Sequence, residues 1–208
     1  MRVVLVSFSV KGACGQYAGS LASALAKHAE VTWLVPEHFN KRNVSGDVSL
    51  IFFRTGKKKW KAGFRLMNPF YFQPFVELIL AKEPDVVHLV FGDYPWAWRL
   101  ARRLQKQGIP FVVTAHDIIA HSGSVIEWVT KYFARRFIWP NATIVHIHSK
   151  KFIALAEKVG IEKNHVFVIP HGSFAHYFLP YSLYLIYLID LPYRTDILFV
   201  LGHALLPI

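Results

Sequence analysis

The feature that most constrains this chain is a repeated exchange between two hydrophobic patterns. Short β-branched and apolar runs at residues 2–10, 31–36, 48–54, 85–91, 110–117, 142–148 and 166–170 are separated by longer stretches, several with helical spacing. Most of the runs are nearly continuous in apolar residues, the signature of strands covered on both faces by helices. The alternation predicts an α/β protein built on a doubly wound parallel sheet. At 208 residues and 53% hydrophobic content, the chain is long enough for a substantial core.

The connecting segments carry the helices. Residues 11–28, KGACGQYAGSLASALAKH, pass from a glycine-punctuated loop into a helix marked by Leu21, Leu25 and His28. Gly12 and Gly15 permit positive φ and close backbone approach, and free N–H groups at the helix start suit a phosphate or carboxylate. Gly12, Gly15 and Gly19 have neither the G-x-G-x-x-G nor the Walker spacing, so a turn that merely requires glycine is the competing reading. Residues 68–83 have a helical pattern around Pro74, which should kink the helix or mark its first turn. Residues 94–107 form a helix with Trp96, Leu100 and Leu104 on one face and Arg99, Arg102, Arg103 and Lys106 elsewhere. Its flanking strands should be parallel, joined by a right-handed crossover. Residues 124–139 predict a helix with an aromatic face, Trp128, Tyr132, Phe133, Phe137 and Trp139, set among Lys131, Arg135 and Arg136. Such a helix either lies on a membrane surface or packs in the core with a basic outer side. Ser149 caps a last helix, 150–159, which Gly160 ends.

Chemistry is expected where residues 110–117, PFVVTAHD, leave the sheet. Ligands of open parallel sheets sit at the carboxyl ends of the strands, and His116 and Asp117 fall there. The competing reading is a histidine that only finishes a loop. His146 and His148 leave their strand on one side, but no cysteine or carboxylate stands at ligand spacing, so no metal is expected. Only Cys14 is present, which excludes an internal disulfide and fits a reducing compartment. The balance of 24 Lys and Arg against 13 Asp and Glu, net +11, favours phosphate-bearing partners or an anionic membrane surface. Lys57, Lys58, Lys59, Lys61 and Arg65, interleaved with Trp60 and Phe64, would meet either one, or simply be a solvated loop. No recognised nucleic-acid module appears, so nucleic acid is not expected as a partner. The apolar run after Arg2 is too short for a signal segment and is followed by Lys11, so it reads as a first strand. No stretch offers about 18 uninterrupted apolar residues for a membrane span.

Four places carry a family resemblance: KGACGQYAGSLASAL, DVVHLV, PFVVTAHD and VFVIPHGSF. In their order and separation they resemble the N-terminal domain of GT-B glycosyltransferases of the family 4 type. The resemblance implies a Rossmann-like doubly wound parallel sheet that is one half of a GT-B architecture. In that family the acceptor binds mainly to the N-terminal domain and the nucleotide-sugar donor mainly to the C-terminal one. Transfer occurs with retention of anomeric configuration, usually without a metal. By matched position, Gly12, Gly15 and Gln16 would lie on the side of the donor diphosphate. His116 would lie near the transferred sugar as a hydrogen-bond donor or positioner, and Asp117 would orient His116 or the acceptor. No bound cofactor is implied, since the nucleotide sugar is a co-substrate of the complete enzyme. The expected acceptor is a sugar, or a lipid-linked or phosphorylated molecule.

The resemblance covers residues 1–174. Residues 175–208 lose the helix-strand alternation, and Arg194 is their only cation. Residues 195–202, TDILFVLG, look like the opening strand of the family's donor domain. The tail reads as a truncated or degenerate start of that domain, leaving the chain incomplete for catalysis alone. A separate donor-domain chain or a homo-oligomer would then complete it. The alternative is a non-catalytic module derived from half a glycosyltransferase, which binds a membrane or a partner. A cytoplasmic location is implied, with peripheral attachment to the inner face of the membrane as an open alternative.

Overall fold

The computed structural model describes residues 1–40, 44–55, 63, 65–91, 93–120 and 125–170. Among the described residues seven strands form one sheet: β1 (Arg2–Val6), β2 (Glu30–Pro36), β3 (Ser49–Phe53), β4 (Val86–Leu89), β5 (Phe111–Thr114), β6 (Ile144–Ile147) and β7 (Val166–Val168). Their order is β3-β2-β1-β4-β5-β6-β7, and every pairing is parallel. The expected Rossmann-like doubly wound α/β sheet is the fold observed, and each apolar run of the sequence supplies one strand. The tail of residues 175–208, including the expected strand at 195–202, lies outside the described residues. So do residues 171–174 and the lysines from Lys57 to Lys61.

Among the described residues the named helices are α1 (Ala13–Leu25), α2 (Pro69–Leu80), α3 (Ala97–Lys106), α4 (Val125–Phe133) and α5 (Ile153–Lys158). Successive side chains of a strand point to opposite faces, so each strand feeds two cores. Val3, Leu5, Val31, Trp33 and Val112 bury against α1 through Tyr17, Leu21 and Leu25. Val4, Val6, Val87, Leu89, Val113 and Val145 bury on the other face against α2, α3 and the segment after α4. Chain direction across the sheet reverses after β3, because β1 to β3 step one way and β4 to β7 the other. The carboxyl ends of β1 and β4 therefore flank a topological switch point, where no connection covers the edge.

One helix decides between two alternatives and another departs from its sequence pattern, each for a local reason. Asn68 Oδ1 accepts from the Phe70 N–H at 2.9 Å and Pro69 occupies the first turn, so Pro74 lies inside α2 rather than at its start. The helix expected over 124–139 is not one helix. α4 ends at Phe133 and is continued by a π turn, Ala134–Ile138, and a 3₁₀ turn, Trp139–Asn141. A π turn inserts extra backbone and changes the phase of the helical face. The aromatic face is divided accordingly: Trp139 is wholly buried, whereas Trp128 and Tyr132 are exposed. Lys131, expected on the outer side, is buried at 5% exposure.

Candidate functional site

The site is assembled at the carboxyl edge of the sheet from the loops after β1, β4, β5 and β6. Gly12 caps α1 with φ 57 and ψ −138, a conformation open mainly to glycine. Gly15 is buried, and a Cβ there would stand 2.3 Å from the Val10 carbonyl oxygen. The tight packing of α1 under the β1 loop thus requires glycine at 15. The N–H groups of Gly15 and Gln16 donate to Gly12 O at 3.1 and 3.2 Å. The amides of Ala13 and Cys14, which come earlier, have no carbonyl one turn back, so they are the helix-start donors available to an anion. Gly12, Gly15 and Gln16 line a hollow of about 150 Å³ together with Val10, Phe39 and Asn40. Burial, followed by the charge of Asp117, pushes the Cys14 thiol up, so it is a thiol rather than a nucleophilic thiolate at neutral pH.

Next to Gln16 on α1, Tyr17 turns into the edge and packs edge-on to His116 and His148, with ring centroids at 4.9 and 5.4 Å. Phe91, leaving β4, stacks on His116 at 4.2 Å and 12°. His148 Nε2 and His116 Nδ1 are 3.0 Å apart. The imidazole of His116 is thus held by a second histidine and an aromatic plate.

Behind that pair runs a buried polar ladder. His88 Nε2 is 2.8 Å from Thr114 Oγ1, which is 3.2 Å from His146 Nδ1. His146 Nε2 and His148 Nδ1 lie 3.1 and 3.2 Å from the Ile169 carbonyl oxygen. A carbonyl only accepts, so both of those nitrogens carry hydrogen. Burial lowers the His146 pKa well below its ordinary value, with His148 adding to the effect, so His146 is neutral and its Nδ1 accepts from the Thr114 hydroxyl. Thr114 Oγ1 then accepts from the His88 Nε2–H; burial lowers the His88 pKa to about 3. His88 Nδ1 remains a buried acceptor without a hydrogen-bond partner among the described residues. At the outer end, a neutral His148 accepts from His116 Nδ1–H, which makes His116 Nε2 an acceptor. His116 Nε2 is itself buried in this structure. Burial pushes the Tyr17 phenol up, so it stays protonated beside the pair.

The loop that carries His116 and Asp117 is clamped from α4 and the π turn. Lys131 Nζ donates to the Asp117 carbonyl and forms a short ion pair with Asp93 Oδ2. One turn on, Arg135 donates to Ile118 O at 2.7 Å. Burial raises the Asp93 pKa, while Lys131 pulls it back. The Asp117 carboxylate bears electrostatically on Cys14 and Asp93. The described contacts that orient His116 come from His148, Tyr17 and Phe91.

The structure therefore brings His116, Asp117 and the start of α1 to one edge, with Gly12, Gly15 and Gln16 around the hollow. It adds His88, Thr114, His146, His148, Tyr17, Phe91, Asp93 and Lys131, to which the sequence pattern assigns no such role. His146 and His148, paired in the sequence, are adjacent at 4.6 Å between ring centroids, but both His146 nitrogens are engaged by the ladder. Among the described residues no group of three or more metal-ligating side chains assembles.

Residues 12–172 match the family described as glycosyl transferase 4-like domain. The chain belongs to that family. This glycosyl transferase 4-like domain is similar in structure to sucrose-phosphate synthase of Thermosynechococcus elongatus, with TM-score 0.62 and 16% identity over 83% of this chain and 48% of that one. Anabaena HepE in complex with UDP aligns with TM-score 0.55 and 18% identity over 83% of this chain and 44% of that one. UDP-N-acetylglucosamine 2-epimerase of Rickettsia bellii aligns with TM-score 0.56 and 11% identity over 80% of this chain and 43% of that one. At these identities the likeness shows the fold, one half of a GT-B architecture, and the domain spans less than half the length of these three structures. No curated protein sequence matches it. No helix among the described residues is long and apolar enough to cross a membrane.

Proposed function

We propose that this glycosyl transferase 4-like domain is the acceptor-binding half of a retaining, nucleotide-sugar-dependent hexosyltransferase, with the donor site contributed mainly by a second domain. The observation that carries the reading is the convergence of two elements on one edge: the helix-start amides of Ala13 and Cys14, and His116 in its 3.0 Å bond to His148. The sugar C1–O bond to the diphosphate breaks, a bond from C1 to the acceptor oxygen forms, and the acceptor hydroxyl proton passes to the departing diphosphate oxygen. The negative charge that develops on the departing diphosphate faces the amides beside the hollow of Gly12, Gly15 and Gln16. His116 is a positioning residue for the transferred sugar. Its Nε2 is an acceptor buried in this structure, and a sugar hydroxyl reaches it only when the edge loops part. Asp117, whose charge lies on the side of Cys14 and Asp93, faces the acceptor. No step requires a metal or a bound cofactor. The acceptor class is a sugar, or a lipid-linked or phosphorylated molecule, consistent with the net charge of +11.

Isothermal titration of the 208-residue chain with UDP-glucose tests this division of labour. The expected result is weak binding, with Kd on the order of 1 mM, about 4 kcal/mol, because only the edge amides and His116 meet the ligand. A Kd below about 10 μM would require a complete donor site within these residues and would end the assignment.

A further inference from the structure

A second recessed surface lies away from the His116 edge, between α2 and α3. It has a volume of about 320 Å³ and is lined by Pro69, Phe72 and Val76 with Trp98 on the apolar side, and by Arg99, Arg102, Arg103 and Lys106 on the other. Phe72 and Val76 are buried core residues that form its floor, whereas Arg102 and Lys106 are exposed. The cations are only partly neutralised. Arg103 lies 3.7 Å from Glu77. Arg99 donates to the Met67 carbonyl at 2.8 Å, which positions the guanidinium without cancelling its charge. Among the described residues neither Arg102 nor Lys106 makes an ion pair. The carbonyl end of α3 accounts for Arg103 and Lys106 in its last turn, but not for Arg99 and Arg102. Those two guanidiniums lie over the Trp98 ring at 5.8 and 5.4 Å.

We propose that this groove docks the domain on a bilayer containing anionic phospholipid, with headgroup phosphates between Arg102 and Lys106 and acyl-chain atoms against the exposed Phe70 and Met67 and the half-buried Trp98. Charge complementarity selects the anion, and the exposed apolar side chains beside Pro69 select an amphiphile over a free phosphate or a nucleic-acid backbone. Phe70, two residues from the floor residue Phe72, is 88% exposed, and Met67 beside it is exposed as well. An exposed phenylalanine of this kind gains free energy by entering the acyl boundary and none in water. A half-buried Trp98 flanked by guanidiniums has the amphipathic character of residues at headgroup depth. α4 continues into Ala134, Ile138 and Trp139, which pack in one core with α2 and α3, and it exposes Val125, Ile126, Trp128, Val129 and Tyr132. Docking there would hold the acceptor crevice at the membrane surface. The inference stands on the groove and does not depend on the transferase reading.

The test is vesicle co-sedimentation of the full chain with neutral phosphatidylcholine vesicles and with vesicles carrying phosphatidylglycerol. Binding is expected only with phosphatidylglycerol and should weaken as salt is raised. The double variant Arg102→Gln/Lys106→Gln should bind roughly 30-fold more weakly, about fivefold for each cation near a charged surface. Phe70→Ser should also weaken binding, with UDP-glucose titration unchanged in both variants. Three results would overturn the proposal. One is absence of binding to either vesicle. Another is undiminished binding by the double variant, which would assign it to a different surface. The third is equal binding of a single-stranded RNA at the same salt, blocked by the same substitutions.

Discussion

Stability should fall by at least about 2 kcal/mol between pH 7 and pH 5, read as the shift in urea unfolding midpoint. His88 and His146 are both 2% exposed and both neutral in the fold. Their folded pKa values lie below the ordinary 6.5, at about 3 for His88 and well below 6.5 for His146, with burial the leading cause in each. The unfolded chain therefore takes up protons below pH 6.5 that the native ladder refuses. Stability is fully present above that value and is lost as pH falls, at about 1.4 kcal/mol per unit for His88, with His146 acting in the same direction. Over the 1.5 units from 6.5 to 5 this amounts to about 2 kcal/mol for His88. Asp93 acts in the opposite sense. Its folded pKa is raised, so its contribution is lost as pH rises through that value and is regained on acidification. His88→Gln keeps a donor toward Thr114 and should flatten the slope. A pH-independent midpoint, or a wild-type slope in that variant, would contradict the ladder.

Lys131→Met should cost about 3 kcal/mol at pH 8, measured by the same unfolding transition. The ammonium is buried, and it both pairs with Asp93 and clamps the Asp117 carbonyl. Breaking a buried pair by removing one partner leaves an uncompensated charge, a loss of about 3–5 kcal/mol when burial is complete; the Asp93 side chain keeps 26% exposure, which sets the lower end. The loss should shrink as pH falls, because Asp93 without Lys131 protonates more readily. Adding Asp93→Asn to Lys131→Met should recover most of it. A pH-independent deficit that the second substitution leaves unchanged would mean that Lys131 acts through packing alone.

The sheet was legible in the sequence because each strand is a short, β-branched run bounded by turn residues, and central strands of a parallel sheet need no alternation. The edge position of His116 and Asp117 was legible for the same reason: a strand that ends at Thr114 must deliver the next residues to the ligand side. The ladder was not. His88, Thr114 and His146 lie on three strands, and they meet only because the order β4-β5-β6 sets Thr114 opposite His146, and His88 opposite Val112, two residues before Thr114. Lys131 was unreadable for a different reason. It stands among aromatics at helical spacing, and the π turn that follows it resets which side of the segment faces the core, a change of phase with no signature in the pattern. Gly15 was singled out as a phosphate-approach residue; its structural demand is the contact with Val10, and the exposed amides belong to the two residues before it.

The account depends most on the edge amides and the His116 imidazole facing one crevice. A nitrogen-15 NMR titration with UDP-glucose at millimolar concentration measures this directly. The prediction is that the backbone amides of Ala13 and Cys14 and the ring nitrogens of His116 and His148 shift together with a single apparent Kd, and that His116→Ala weakens that Kd by about tenfold, the value of one good hydrogen bond to a bound sugar. Shifts confined to the helix start with both rings unmoved, or gathered along α3 from Arg99 to Lys106, would contradict a shared crevice and the transferase reading built on it.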